Sequence, residues 1–137
     1  MKEEFAGLKV YNNGVVKMEY DGSIVFSEFL QENTIINLDV AREIVDSRVA
    51  LTDGRKHLLC LKTNKFSYAS KEVRGFMQSA HGKKNILAGA FVTPNTVSSI
   101  FFNFFIKING VDRDVPTKCF SNETDAVAWL EKYKKSQ

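Results

Sequence analysis

Along the N-terminal part of the chain apolar and polar positions alternate, and near Asn37 the period changes to that of a helix. Val16, Met18 and Tyr20 alternate with Val15, Lys17 and Glu19, and Ile24 and Phe26 with Val25 and Ser27. A strand sends successive side chains to opposite faces, so the pattern predicts a sheet with one wetter face. Asn13-Gly14 and Asp21-Gly22 supply tight turns, because Asn, Asp and Gly accept positive φ at little cost. The expected result is an antiparallel meander of three strands, Leu8–Tyr11, Val15–Tyr20 and Ile24–Phe29.

Beyond Asn37, Val40, Ala41, Ile44, Val45, Val49 and Leu51 recur at helical spacing, and Asp53-Gly54 is the expected stop. His57–Leu61 then runs without polar alternation, as a strand covered on both faces does. Ser70 is placed to cap a helix whose inner face is Val73, Phe76, Met77 and Ala80, ending at Gly82. Ile86–Val92 reads as a second buried strand, with small residues that allow a helix to approach closely. A helix from about Thr96 to Ile108 follows the Thr93-Pro94-Asn95 turn, and Thr117–Phe120 is a short strand. Ser121 caps a last helix that turns Ala126, Trp129, Leu130 and Tyr133 inward. Strands followed by alternating helices and apolar strands predict one α/β domain over residues 1–137. It has a mixed sheet, right-handed βα crossovers, about four helices and the meander as its antiparallel edge.

Five stretches carry a family likeness: Leu38–Ile44, Ser70–Arg74, Asn103–Asn109, Val115–Phe120 and Asp125–Leu130. With this order of elements the chain resembles the SpoIIAA-like group of STAS-related folds. Within that group it is similar to an uncharacterised bacterial STAS/SEC14-type domain family. The resemblance implies a SpoIIAA-like mixed sheet and a non-enzymatic binding or regulatory module acting through protein contacts. The SEC14 association implies an alternative, a carrier of a small apolar or lipid-like ligand. Two departures matter. Gly110–Asp114 is a longer, more charged link than the family's, and Lys62-Thr63-Asn64-Lys65 stands where true antagonists carry an Asp-Ser phosphoacceptor pair. Phosphorylation-controlled partner switching is therefore not implied.

Composition narrows the function further. With 137 residues, 44% hydrophobic and 26% charged, the chain can bury a core without metal or disulfide. The net charge of +3 is spread among acids, with no basic stripe, so no nucleic-acid partner is expected. Lys83-Lys84 and the terminal Lys132, Lys134 and Lys135 read as solvated surface. Cys60 and Cys119 lie in strand-like runs as small hydrophobes. Neither has metal-ligand spacing with His57 or His81, so no metal or cofactor is expected. The acidic Met1–Glu4 start is unlike a signal peptide, and Ile100–Ile108 is too short and interrupted for stable membrane insertion. The expected setting is the cytoplasm of a bacterium.

No strand–loop–helix phosphate cradle, nucleophile elbow or acid–base dyad is legible, and an enzyme is not expected. The candidate positions are of three kinds. Thr63, Ser67 and Ser70 fall in the loop after the first parallel strand, where ligands and phosphates gather in such sheets. The plainer reading makes Ser70 a cap and Ser67 a loop residue. Phe102 and Ile106 point away from the apolar face formed by Val97, Ile100, Phe101, Phe104, Phe105 and Ile108. They are covered by the chain itself, by a second subunit in a homodimer, or by an apolar ligand; a contact with an unidentified protein or a second copy is favoured. Arg48 falls within the apolar face of the first helix. Snorkelling to solvent is expected; if buried, it needs a carboxylate or phosphate.

Overall fold

The turns at Gly14 and Gly22 take positive φ, 87° and 97°, which lets Asn13 and Asp21 fold the chain back on itself. Each turn is braced by its own side chain. Asn13 Oδ1 accepts from the N–H of Val15 and of Val16, both at 2.9 Å, and Asp21 Oδ1 accepts from Ser23 and Ile24. In the computed structural model, residues 2–5, 8–30, 34–62, 67–93 and 115–136 are described. They form strands β1 (Lys2–Phe5), β2 (Leu8–Asn12), β3 (Val16–Tyr20), β4 (Ile24–Phe29), β5 (Thr34–Ile36), β6 (His57–Lys62), β7 (Ser67–Ala69), β8 (Ile86–Val92) and β9 (Thr117–Phe120). The helices are α1 (Leu38–Leu51), α2 (Lys71–Met77) and α3 (Glu123–Leu130), with the 3-10 turn η1 (Glu131–Ser136) after α3.

Seven strands make one sheet in the order β1-β2-β3-β4-β6-β8-β9. The meander β1–β4 is antiparallel, and from β4 onwards every pairing is parallel. Leu58, Leu59 and Cys60 pair with Val25-side neighbours on β4 and with Ala88, Gly89 and Ala90 on β8, so β6 is an inner strand. β8 is likewise inner, between β6 and β9.

Two cores result, one on each face. On the α1 face, Val16, Met18, Tyr20 and Val25 pack against Ile44 and Leu51. On the opposite, α3 face, Ile24, Leu58, Cys60, Ala88 and Ala90 pack against Ala126 and Leu130. Ala88 and Ala90 are the small residues that let α3 sit close to β8. Phe120, Trp129 and Tyr133 close this core at its margin, with the Trp129 and Tyr133 rings edge-to-face at 5.1 Å.

Several expectations need correcting. Three α-helices occur among the described residues rather than about four, and the helix expected over 96–108 lies outside them. Asn122, not Ser121, caps α3, because its Oδ1 reaches the Asp125 N–H at 2.8 Å. α2 ends at Met77, short of Gly82. The chain then coils so tightly that a Cβ on Gly82 would lie 2.3 Å from Phe76 O. Ser67–Ala69 is a strand pairing in parallel with Thr34–Ile36, where a polar loop was expected. β1 was not foreseen either, because Lys2-Glu3-Glu4-Phe5 lacks the apolar alternation that marks a half-buried strand.

Candidate functional site

Ser70 is the N-cap of α2, its Oγ accepting from the Val73 N–H at 3.2 Å. Ser67 opens β7. Thr63 lies outside the described residues, as do Phe102 and Ile106. The carboxyl ends of the parallel strands, where these serines fall, carry acids at each helix start together with Lys62 and Lys71. Asp39 sits in the first turn of α1, Glu72 in that of α2, and Glu123 and Asp125 in that of α3. Acids there already occupy the positive end of each helix dipole. Lys62, at the end of β6, bonds Glu123 at 2.7 Å. This hydrogen bond, with the fields of Glu123 and Glu28, raises the Lys62 pKa against the opposing effect of burial.

Beside this pair, on the α3 face, the meander carries an open recess of about 240 Å³. Leu8 and Phe26 supply its apolar part, and Lys17, Glu19, Asp21, Glu28, Lys62 and Glu123 its charges. The strand register explains the grouping. Glu19 stands opposite Phe26, Lys17 opposite Glu28, and Glu28 opposite Lys62, all on one face. Lys17 and Glu19 are paired at 3.0 Å, so each lysine of the recess has a carboxylate partner.

Arg48 departs from the sequence expectation. It is 2% exposed, so it does not snorkel, and its partners are neither carboxylate nor phosphate. One terminal nitrogen donates to the carbonyls of Gly82 and Lys84, each at 3.1 Å, and Nε donates to His57 Nε2 at 3.0 Å. His57 Nδ1 lies 3.0 Å from Arg55 O. An Nε2 that accepts requires the proton on Nδ1, so the bonding pattern assigns the neutral Nδ1–H tautomer. Burial is the main cause that lowers the His57 pKa to about 4; the bond to Arg55 opposes it and the Arg48 charge adds to it. Burial also lowers Arg48 to about 10, which still leaves the guanidinium charged at neutral pH. The group ties α1, the start of β6 and the turn after α2 together. Sequence reading missed His57, which stands nine residues from Arg48 within an apolar run and has no periodic signal linking the two.

Burial drives both thiols the other way. Cys60 and Cys119 are pushed up to about 12, and neither is a poised nucleophile. Among the described residues no group of three or more His, Cys, Asp or Glu side chains is arranged to hold a metal ion. Among them, too, no helix is long and apolar enough to cross a membrane.

A family model for a domain of unknown function, DUF7793, matches residues 17–134. The chain belongs to that family. Its fold is SpoIIAA-like, as the resemblance implied. A solved structure of an uncharacterised protein from Shewanella loihica PV-4, of the DUF3478 family and with a SpoIIAA-like fold, superposes with a TM-score of 0.57. The identity is 9%, over 95% of this chain and 98% of that one, so the likeness establishes the fold alone. No curated protein matches the sequence.

Proposed function

We propose that this domain is a non-enzymatic, STAS-like binding or regulatory module of the cytoplasm that acts through protein contacts. The observation that carries the reading is the recess on the α3 face of the meander. Its lining mixes apolar Leu8 and Phe26 with the charged Lys17, Glu19, Asp21, Glu28, Lys62 and Glu123. Apolar and charged side chains mixed over an open surface suit a contact with another polypeptide. At about 240 Å³ and bordered by charges, the recess is smaller and wetter than the mostly apolar sites of roughly 300–1,000 Å³ that hold small molecules. The bond to Glu123 raises the Lys62 pKa, which holds that lysine charged and makes it a poor general base.

Self-association through Phe102 and Ile106 belongs to the same reading. A photo-crosslinking residue at position 19, half-buried beside the recess, tests the first surface in cells. Adducts to another polypeptide or a second copy are expected, and adducts within the chain alone would sink it. Sedimentation of the protein and of Phe102→Glu tests the second. A dimer lost in the variant supports it, and a monomer in both removes it. A co-purified lipid in native mass spectrometry would replace both with the carrier alternative.

A further inference from the structure

The amino ends of the parallel strands carry a second surface, rich in basic side chains. The turn after α1, residues 52–56, presents Arg55 and Lys56, and the turn after α2, residues 78–85, presents Lys83 and Lys84. These two basic pairs lie far apart in sequence, and the fold clamps them side by side. Asn85 Nδ2 donates to Gly54 O at 3.1 Å, and the His57 N–H donates to Asn85 O at 2.9 Å. The Lys83 N–H donates to Ser79 O at 3.0 Å and the Lys84 N–H to His81 O at 3.2 Å, so the backbone beneath the lysines is fixed.

A second observation deepens the imbalance. The Arg48 guanidinium lies under the same turn, bonded to the carbonyls of Gly82 and Lys84 and to a neutral imidazole. Among the described residues no carboxylate pairs with it. Asp53 is the one acid in either turn, and it is shared between Lys9 and Arg55. Asp46, on α1, stands 3.5 Å from His81. The rim therefore gathers basic side chains on a hydrogen-bonded backbone, over a buried cation that no carboxylate among the described residues pairs with.

We propose that this rim, Arg55, Lys83 and Lys84 over Arg48, docks an acidic segment of a partner protein. The inference rests on the protein-contact reading and places a contact at a surface separate from the recess. Carboxylates suit the rim because an Arg fork and lysines on a fixed turn accept them in charge-assisted hydrogen bonds. The turns hold no Phe, Tyr or Trp for stacking on nucleic-acid bases, and no apolar side chain larger than Ala80 to insert into a lipid surface.

The test is fluorescence anisotropy with a labelled oligoglutamate peptide and the intact protein, run beside a short DNA duplex and phosphatidylserine-containing vesicles. Peptide binding that weakens steeply with salt is expected. The double variant Lys83→Glu/Lys84→Glu should lose at least about tenfold in affinity, and Arg55→Glu should follow the same direction. Lys118→Glu, the same charge change on exposed β9, should leave affinity within about twofold. Unchanged thermal midpoints show that the variants are folded, since these side chains lie on the surface. The proposal is overturned by no peptide binding at low salt, by equal losses in Lys118→Glu, or by tighter rim-dependent binding of the duplex or vesicles. Crosslinking at the recess is read separately, so either surface can fail while the other stands.

Discussion

Acid should unfasten this domain through His57 as the pH falls below 6.5. The imidazole is fully buried, accepts the Arg48 Nε–H at Nε2 and has its pKa lowered to about 4 from 6.5. A proton on Nε2 would set two N–H donors against each other and place two cations in contact. Because the folded pKa lies below the unfolded one, the stabilisation is present above pH 6.5 and is lost as pH falls towards 4. The cited shift corresponds to about 2 kcal/mol lost between pH 7 and pH 5 and about 3 kcal/mol by pH 4. Against a typical domain stability of roughly 5–15 kcal/mol this is large. Urea unfolding of the protein and of His57→Gln at pH 7, 6 and 5 measures it. Gln keeps an acceptor for Arg48 and does not titrate, so its stability curve should be flatter by most of that 2 kcal/mol, whatever its absolute stability. Parallel curves for the two proteins would refute the assignment of a neutral, Arg48-bonded His57. His57 imidazole resonances titrating near pH 6.5 in the folded protein would do the same.

Three further outcomes follow from the same packing. Gly82→Ala should destabilise by about 2 kcal/mol or more, because the new methyl would meet the Phe76 and Met77 backbone at 2.3 and 2.6 Å; thermal denaturation reads this. Ser70→Ala should cost about 1 kcal/mol in the same assay, through the Val73 N–H left without its cap. Cys60 and Cys119 should resist iodoacetamide in the folded protein at mildly alkaline pH and react only on unfolding, with adducts counted by mass spectrometry. Rapid alkylation of either thiol in the folded state would contradict its burial.

Much of the architecture was legible along the chain, because the deciding signals were local. The strict alternation in Val16–Tyr20 and the glycine turns dictate a meander with one buried face, which the structure covers with α1. The unbroken apolar runs at Leu58–Leu61 and Ile86–Val92 dictate inner strands, and these lie side by side with Cys60 opposite Ala90. Helix spacing likewise marked Ala41, Ile44, Val45 and Leu51 as a buried face, which they are. Elements whose stability comes from a distant partner left no such trace. The strands β5 and β7 are three residues each and exist through one another, too short for any period to register.

The surfaces divide along the same line. Ser70 was readable as a cap because its hydrogen bond closes within its own helix turn. The state of Arg48 was not, since the acceptors that replace water around it come from Gly82 and Lys84, more than thirty residues away, and from His57 on the neighbouring strand. Residue types and spacing alone determine which positions seek burial and which way each segment coils. Only the tertiary structure decides whether a buried charge finds carbonyls in place of a carboxylate, or whether two basic pairs that look like solvated surface converge on one edge. Desolvation and charge depend on what lies within a few ångströms in space, and a sequence does not order its residues by that distance.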